Sequence, residues 1–332
     1  MFVNELNIGS LTLKNNLIMA PMAGITDSTF RKLARDGGAG MACTEMVSAN
    51  GLSHGDLKTK KIAAIIGEES PISVQIFGGS TDALAESAII VEESGADIID
   101  INLGCPAPKV RKSGAGFKLV ENEDLLVDCL KAVVKAVKAP VTVKMRIGKQ
   151  SGVNVAPRIA RLAEDCGVSM VVVHGRPAEA MHSGAVDLNA ICETVQAVSI
   201  PVIANGGIVD EMSAKMAFEQ SGCAGIMIGR GAIGDPFIFS RIISYLTQGV
   251  MQKNPTWEER LAMFRRHVNL ACARYGEKNA MMRMRKVAPY YIKDMPGATR
   301  MRALYNTFTE LKQLDHIENG LKVPSYFEEQ TD

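Results

Sequence analysis

Between residues 16 and 229 a short apolar or β-branched run gives way to a longer amphipathic stretch eight times over. No other feature of the sequence constrains the fold as much. The strand-like runs are Asn16–Ala20, Gly40–Glu45, Ile72–Phe77, Asp97–Leu103, Val141–Arg146, Met170–His174, Pro201–Asn205 and Gly225–Gly229. Helical periodicity fills the intervals, as in Thr81–Ser94, Asn122–Val137, Val155–Cys166 and Asp210–Gln220, with capping residues or glycines at several ends. Strands that alternate singly with helices pair in parallel, and eight such units match a (β/α)8 barrel. A doubly wound sheet is the alternative, but the glycine fingerprint it would place after the first strand is missing from Ala20–Thr26. Ahead of the first unit, Val3–Asn15 alternates around Gly9-Ser10 and predicts a hairpin that closes the barrel floor.

The strand pattern stops near residue 248. Thr256–Tyr275, Met281–Lys293 and Ala298–Gln313 read as helices, so residues 1–248 are expected to form the barrel and residues 249–332 a helical domain. The charge divides at the same place. Residues 251–332 hold 14 Lys/Arg against 10 Asp/Glu, and within 260–302 the balance is 11 to 2. A basic helical segment on a slightly acidic body is either a solvated surface or the electrostatic footprint of a nucleic acid. No apolar run approaches membrane-spanning length and the N-terminus lacks the basic region of a signal peptide, so the expected location is the cytoplasm. Seven scattered cysteines without a C-x-x-C pair argue against a disulfide framework and a compact zinc site.

In such barrels chemistry gathers where strands end. The predicted exits carry Pro21-Met22-Ala23, Glu45, Gln75, Asn102 with Cys105, Lys144 with Arg146, His174, Asn205-Gly206-Gly207 and Gly229-Arg230. Lys144 lies inside an apolar strand, where an unpaired ammonium must lose its proton or find an anion. A structural salt bridge would satisfy it, and so would an anionic cofactor such as a reduced flavin. The last two exits set bare backbone beside Arg230, which reads either as simple turns or, favoured by the arginine, as a phosphate site of this fold, and His174 is either a further donor to it or a satisfied structural residue. Cys105 sits where a strand opens into Gly104-Cys105-Pro106, followed by Lys109, Arg111 and Lys112. A thiol beside cations points to chemistry on something negatively charged.

Read together, APMAGITD (20–27), CTEMVSANGL (43–52), DINLGCPAPKV (100–110), VKMRIG (143–148), VHGR (173–176), IANGGI (203–208), MIGRGA (227–232) and RKVAPYY (285–291) resemble the tRNA-dihydrouridine synthases, most closely their bacterial B-type branch. The resemblance implies a flavoenzyme that reduces uridines of tRNA to 5,6-dihydrouridine with FMN and with NADPH or NADH as reductant; a monomer without a metal is the separate expectation. It assigns Pro21, Met22 and Ala23 to the flavin ring through their backbone, and Gln75 and Lys144 to its polar edge. His174, Asn205, Gly206, Gly207, Gly229 and Arg230 go to its phosphate arm. Asn102 would touch the target uracil, Lys109, Arg146 and Arg176 would serve the substrate, and Arg285 with Lys286 would grip the tRNA backbone. Cys105 becomes the acid that protonates one carbon of the uracil, a role open to an ordinary thiol, mostly protonated at neutral pH.

Three positions depart from the family pattern. Pro177-Ala178 follow Arg176 where a Thr-Arg pair is common, Gly207 stands where Asp is frequent, and Val287 replaces a His. The competing readings are a flavin barrel acting on a free pyrimidine, a catalytically idle tRNA-binding protein, and an aldolase using Lys144 as a Schiff base. The first leaves the basic tail without a task, the second leaves Cys105 and Lys144 unexplained, and the third does not account for the Gly-Cys-Pro loop.

Overall fold

The computed structural model describes residues 2–65, 67 and 70–315. Its main sheet is a closed ring of parallel strands: β1 (Leu17–Met19), β2 (Met41–Cys43), β3 (Ile72–Phe77), β4 (Ile98–Asn102), β5 (Val141–Arg146), β6 (Met170–His174), β7 (Val202–Asn205) and β8 (Gly225–Ile228). Each pairs with its neighbours in sequence, and the ring closes through β8 on β1. It is a (β/α)8 barrel. The apolar runs became strands because both faces of a barrel strand are covered, inside by packed side chains and outside by helices, and β-branched residues fit such positions. Their residues are accordingly almost all buried. The seven intervals and the segment after β8 carry the packing helices, among them Ser28–Asp36, Thr81–Glu93, Glu123–Ala136, Ala156–Asp165, Leu188–Ala197, Glu211–Ser221 and Ile238–Gln248.

The expected hairpin is present. Leu6–Ile8 pairs antiparallel with Leu11–Leu13 across Gly9-Ser10. Leu6, Ile8 and Leu13 join Ile18, Met41, Ile98, Met170, Ile203 and Met227 in one buried cluster, so the hairpin plugs the barrel at the end where the strands begin. This leaves the opposite end, where the strands finish, as the open mouth.

Some segments differ from the reading of the sequence. A two-residue strand, Val47–Ser48, extends the edge of β3, and the loop after β4 contains two short helices, Pro108–Lys112 and Phe117–Val120. None of these is long enough to show a period. The string Gly229-Arg230-Gly231-Ala232-Ile233-Gly234 has the spacing of a dinucleotide fingerprint, yet it follows the last strand of a closed barrel and begins a turn of 3-10 helix at Arg230–Ala232.

The chain divides into two compact units, residues 1–231 with Ile238–Met251, and Ala232–Phe237 with the chain from Gln252 onward. In the second, Trp257–Tyr275 starts with a reciprocal cap between Thr256 and Glu259. The expected helix over Met281–Lys293 is instead two, Glu277–Met284 and Ala288–Tyr291. Pro289 has no N–H to give the carbonyl of Arg285, and its ring crowds that carbonyl, so the helix cannot run through. The helix from Ala298 likewise ends at Thr307, where Phe308 turns extended, short of the expected Gln313. Phe264, Tyr291, Tyr305 and Phe308 form the aromatic centre of this unit, with ring centroids 5.1–5.7 Å apart.

Candidate active site at the barrel mouth

Strands β3, β4 and β5 place Gln75, Asp100, Asn102, Thr142 and Lys144 on neighbouring rungs, with Gln75 opposite Asp100, Asp100 opposite Thr142 and Asn102 opposite Lys144. Alternation along a strand turns Asp100 and Asn102 to the same face, and Thr142 and Lys144 likewise. Their hydrogen bonds confirm that this face is shared: Gln75 Nε2 donates to Asp100 Oδ2 at 2.6 Å, Thr142 Oγ1 to Asp100 Oδ1 at 2.7 Å, and Asn102 Nδ2 to Gln75 Oε1 at 2.8 Å. Asp100 escaped the reading of the sequence. Burial pushes its carboxyl above the usual range, and the two hydrogen bonds and the Lys144 cation oppose that shift.

Lys144 reaches across to β7, where its Nζ donates to Asn205 Oδ1 at 2.8 Å, while Asn205 Nδ2 is tied to the carbonyl of Met227 at 2.8 Å. Burial first, and then the neighbouring Arg146, bring the Lys144 pKa down from 10.5 to about 8, with Asp100 pulling the other way. Its salt bridge is therefore incomplete. The ammonium has a neutral amide at contact distance and a carboxylate already occupied by two other donors.

The thiol loop is fixed at four places. Asn102 Oδ1 accepts from the backbone N–H groups of Gly104 (3.2 Å) and Cys105 (2.9 Å), and Arg146 Nε donates to the Gly104 carbonyl at 3.0 Å. The Cys105 carbonyl accepts from Phe117 N–H at 3.2 Å. Gly116 makes that approach possible. Its φ is +62°, and a Cβ there would stand 2.7 Å from the Cys105 carbonyl oxygen and 3.2 Å from Cys105 Cβ. Cys105 itself is half-buried, and Lys144 and Arg146 both lie within electrostatic reach of its sulfur. Lys109, Arg111 and Lys112 occupy the exposed side of the short helix that follows, whose buried side is Val110.

A second group of cations continues round the mouth. Arg146 Nη1 and Nη2 donate to the carbonyls of Pro177 (3.0 Å) and Met181 (2.7 Å), Arg176 Nε to that of Gly184 (2.9 Å), and Arg230 Nη2 to that of His182 (2.9 Å). Every one of these partners is a neutral carbonyl. Among the described residues none of Lys144, Arg146, Arg176 and Arg230 forms an ion pair within 4.0 Å. His174 sits among them, 3.4 Å from Arg176 Nη1, and burial together with the surrounding cations drives its pKa far below the ordinary imidazole value, so it is neutral. His182, which the sequence reading did not single out, stacks at 6.3 Å from it, and burial and the arginines lower its pKa too. The mouth thus gathers four cations around two imidazoles whose protonation is disfavoured by burial and by those cations.

The glycines fit the same region. Gly206 has φ +110° and lies so close under His174 that a Cβ would stand 2.7 Å from its ring, and Gly207 has φ +72°. Gly229 lies beside Ala20 and Met22, leaving ordinary contact distance above its backbone. The Pro21-Met22-Ala23 exit is held by Thr26, which accepts from Met22 N–H at 2.9 Å, and by Glu45, whose carboxylate accepts from Gly24 N–H. Contacts thus link Met22, Gly229, Gln75, Asn102, Cys105, Lys144, Arg146, His174, Arg176, Asn205, Gly206 and Arg230 into the mouth. Arg285 and Lys286 belong to the helical unit. Arg285 donates twice to the Phe308 carbonyl, at 3.2 and 2.8 Å, and Lys286 is exposed.

The model of the family described as "Dihydrouridine synthase (Dus)" matches residues 18–325. The chain belongs to the dihydrouridine synthase family. It is 43% identical to tRNA-dihydrouridine synthase B of Vibrio parahaemolyticus over 91% of this chain and 94% of that one, and 40% identical to its namesake in Pseudomonas aeruginosa over 92% of each. A probable tRNA-dihydrouridine synthase of Rickettsia conorii is 38% identical over 92% of each. The chain thus falls in the bacterial B-type branch. A morphinone reductase variant in complex with tetrahydroNAD shares the barrel, with a TM-score of 0.53 and 12% identity over 72% of this chain and 89% of that one. In 2-naphthoyl-CoA reductase the likeness reaches 0.56 at 14% identity, over 73% of this chain and 52% of that one. Among the described residues of this family member no helix is long and apolar enough to cross a membrane.

Proposed function

We propose that this protein reduces uridines of tRNA to 5,6-dihydrouridine, with FMN as the resident cofactor and NADPH or NADH as reductant. The observation that carries the reading is the mouth itself, where a thiol on a hydrogen-bonded loop meets four cations, none of which forms an ion pair within 4.0 Å among the described residues. The donor set suits FMN. Arg176, Arg230, His174 and the bare backbone of Gly206 and Gly207 offer a binding place to a phosphate, and Lys144 offers a cation to the pyrimidine edge of the ring. Gly229, beside Ala20 and Met22, and the Pro21–Ala23 backbone would hold the ring itself. FMN, when reduced, supplies a hydride to one carbon of the uracil double bond.

The chain's own work is to position the base and to move one proton. Cys105 Sγ gives its proton to the carbon opposite the one that gains hydride, and the thiolate left behind lies in the field of Lys144 and Arg146 until water reprotonates it. Beyond its bond to Gln75, the Asn102 amide nitrogen makes only a weak sulfur contact, to Met46 Sδ at 4.0 Å, which a uracil oxygen can replace as acceptor. The target nucleotide must leave its stack to enter the mouth. Lys109, Arg111 and Lys112 then face the neighbouring phosphates, and Lys286 in the residue 249–332 domain meets the tRNA backbone elsewhere. The test is Cys105→Ala. It should bind FMN as the parent does and lose most dihydrouridine formation; undiminished turnover would remove the thiol from the reaction.

A further inference from the structure

We propose that Asp100 is a positioning residue that fixes the orientation of the Cys105 loop through Gln75 and Asn102. The inference depends on the reading above only for its consequence in turnover.

The direction of this hydrogen-bond chain is set at its outer end. The backbone N–H of Cys105 can only donate, and so can that of Gly104; both point at Asn102 Oδ1, at 2.9 and 3.2 Å. With its oxygen engaged there, Asn102 turns its amide nitrogen inward, to Gln75 Oε1 at 2.8 Å. Gln75 must then present its own nitrogen to the next group, which must be an acceptor. That group is Asp100, whose Oδ2 accepts at 2.6 Å while Oδ1 accepts from Thr142 Oγ1 at 2.7 Å. The three residues are 1–9% exposed, so solvent does not take over either end.

An amide side chain is nearly symmetric in shape, and exchanging its oxygen and nitrogen costs nothing in packing. Only the polarity at its two ends forbids the exchange here. A donor in place of the Asp100 carboxylate would turn Gln75 over, Gln75 would turn Asn102 over, and the Cys105 N–H would face an N–H. A carboxylate on the floor of the mouth therefore holds the backbone that carries the thiol, three side chains away. The same carboxylate faces Lys144 from β5 and Cys43 from β2, and neither interrupts the chain.

The experiment compares D100N with the double variant D100N/Q75E in the full-length protein. The readout is amide hydrogen exchange in the peptide that contains Gly104 and Cys105, with dihydrouridine turnover measured alongside. D100N keeps the volume but offers one oxygen to two donors, Thr142 Oγ1 and Gln75 Nε2; with that oxygen on Thr142 it presents a donor to position 75, so exchange at Cys105 should rise about tenfold, the worth of one hydrogen bond of ordinary strength. In the double variant a carboxylate at position 75 accepts from both sides, Asn102 regains its orientation, and protection should return. Turnover need not return with it, since Gln75 also lies in the proposed flavin site. T142V removes a bond to the same carboxylate without reversing any polarity and should leave Cys105 protected. Unchanged protection in D100N, or equal loss in D100N and the double variant, would overturn the inference. If D100N alone does not fold, an unprotected Cys105 in the double variant does so. Normal relay behaviour in a protein that forms no dihydrouridine would sink the proposed function and leave the relay standing.

Discussion

Replacing Lys144 with Met should stabilise the flavin-free protein while destroying its affinity for FMN. The burial that lowers the Lys144 pKa from 10.5 to about 8 makes the charged form costly in the fold. At 1.36 kcal/mol per unit, the cost of keeping that ammonium charged at pH 7 is about 3 kcal/mol. Because the folded value is depressed, this penalty is absent above the unfolded pKa and is complete once the pH has fallen through about 8. Methionine removes the charge at similar length. It also removes the bond to Asn205 Oδ1, about 1 kcal/mol, and deprives the Asp100 carboxylate of its cation, so the net gain at pH 7 is about 1 kcal/mol. The decisive quantity is the change of that difference with pH. Between pH 7 and 9.5 the Lys144 penalty in the parent falls by about 2 kcal/mol, so the advantage of the variant should shrink by that amount. Urea unfolding of both proteins at the two pH values, with the m-value checked for constancy, measures it. A variant that loses 2 kcal/mol or more at pH 7, or a difference that does not move with pH, would show that Lys144 is satisfied by the protein itself and needs no anionic ligand.

Other perturbations separate the parts of the site. Gly116→Ala puts a Cβ 2.7 Å from the Cys105 carbonyl at φ +62°, so it should cost about 1–3 kcal/mol in urea unfolding and change the alkylation rate of Cys105 in a peptide map. Glu211→Gln breaks a pair with Arg241 whose two side chains are 6% and 4% exposed, and should cost about 3 kcal/mol in thermal unfolding without altering FMN affinity. Lys286→Glu should weaken tRNA binding and reduce the slope of log K against log salt by about 1, with the melting temperature unchanged. Arg285→Glu should do the same and also lower the melting temperature, because Arg285 secures the Phe308 carbonyl.

The barrel was legible because each strand announces itself locally. Ile72–Phe77, Val141–Arg146 and Met170–His174 are runs of apolar and β-branched residues with turn residues on each side, and their ends agree with the structure to the residue. Closure was not local. The Gly229–Gly234 string has the spacing of a different fold's signature, and only the pairing of β8 with β1 gives it its place. Helices were misread where a proline acts four residues back, as Pro289 does on Arg285, or where a helix is a single turn, as at Phe117–Val120. In the site, Lys144 drew attention because a cation in an apolar strand needs a reason. Asp100 did not, since a strand beginning with Asp97 hides one more aspartate among polar ends, and its importance lies in what it accepts from β3 and β5. Sequence spacing carries no information about which strand stands next to which. His182 was missed for the same reason: it lies in a loop, and only the return of that loop to Arg230 brings it beside His174.

The measurement that bears most directly on the central claim is the mass of tRNA fragments after incubation with the protein, FMN and NADPH, starting from tRNA devoid of dihydrouridine. A gain of two hydrogens on a single uridine, absent when Cys105→Ala replaces the parent, is the expected result, and the fragment identifies the position. Intact tRNA with no gain in mass, while flavin is visibly bound, would contradict the account and turn attention to a small unsaturated substrate at the same mouth.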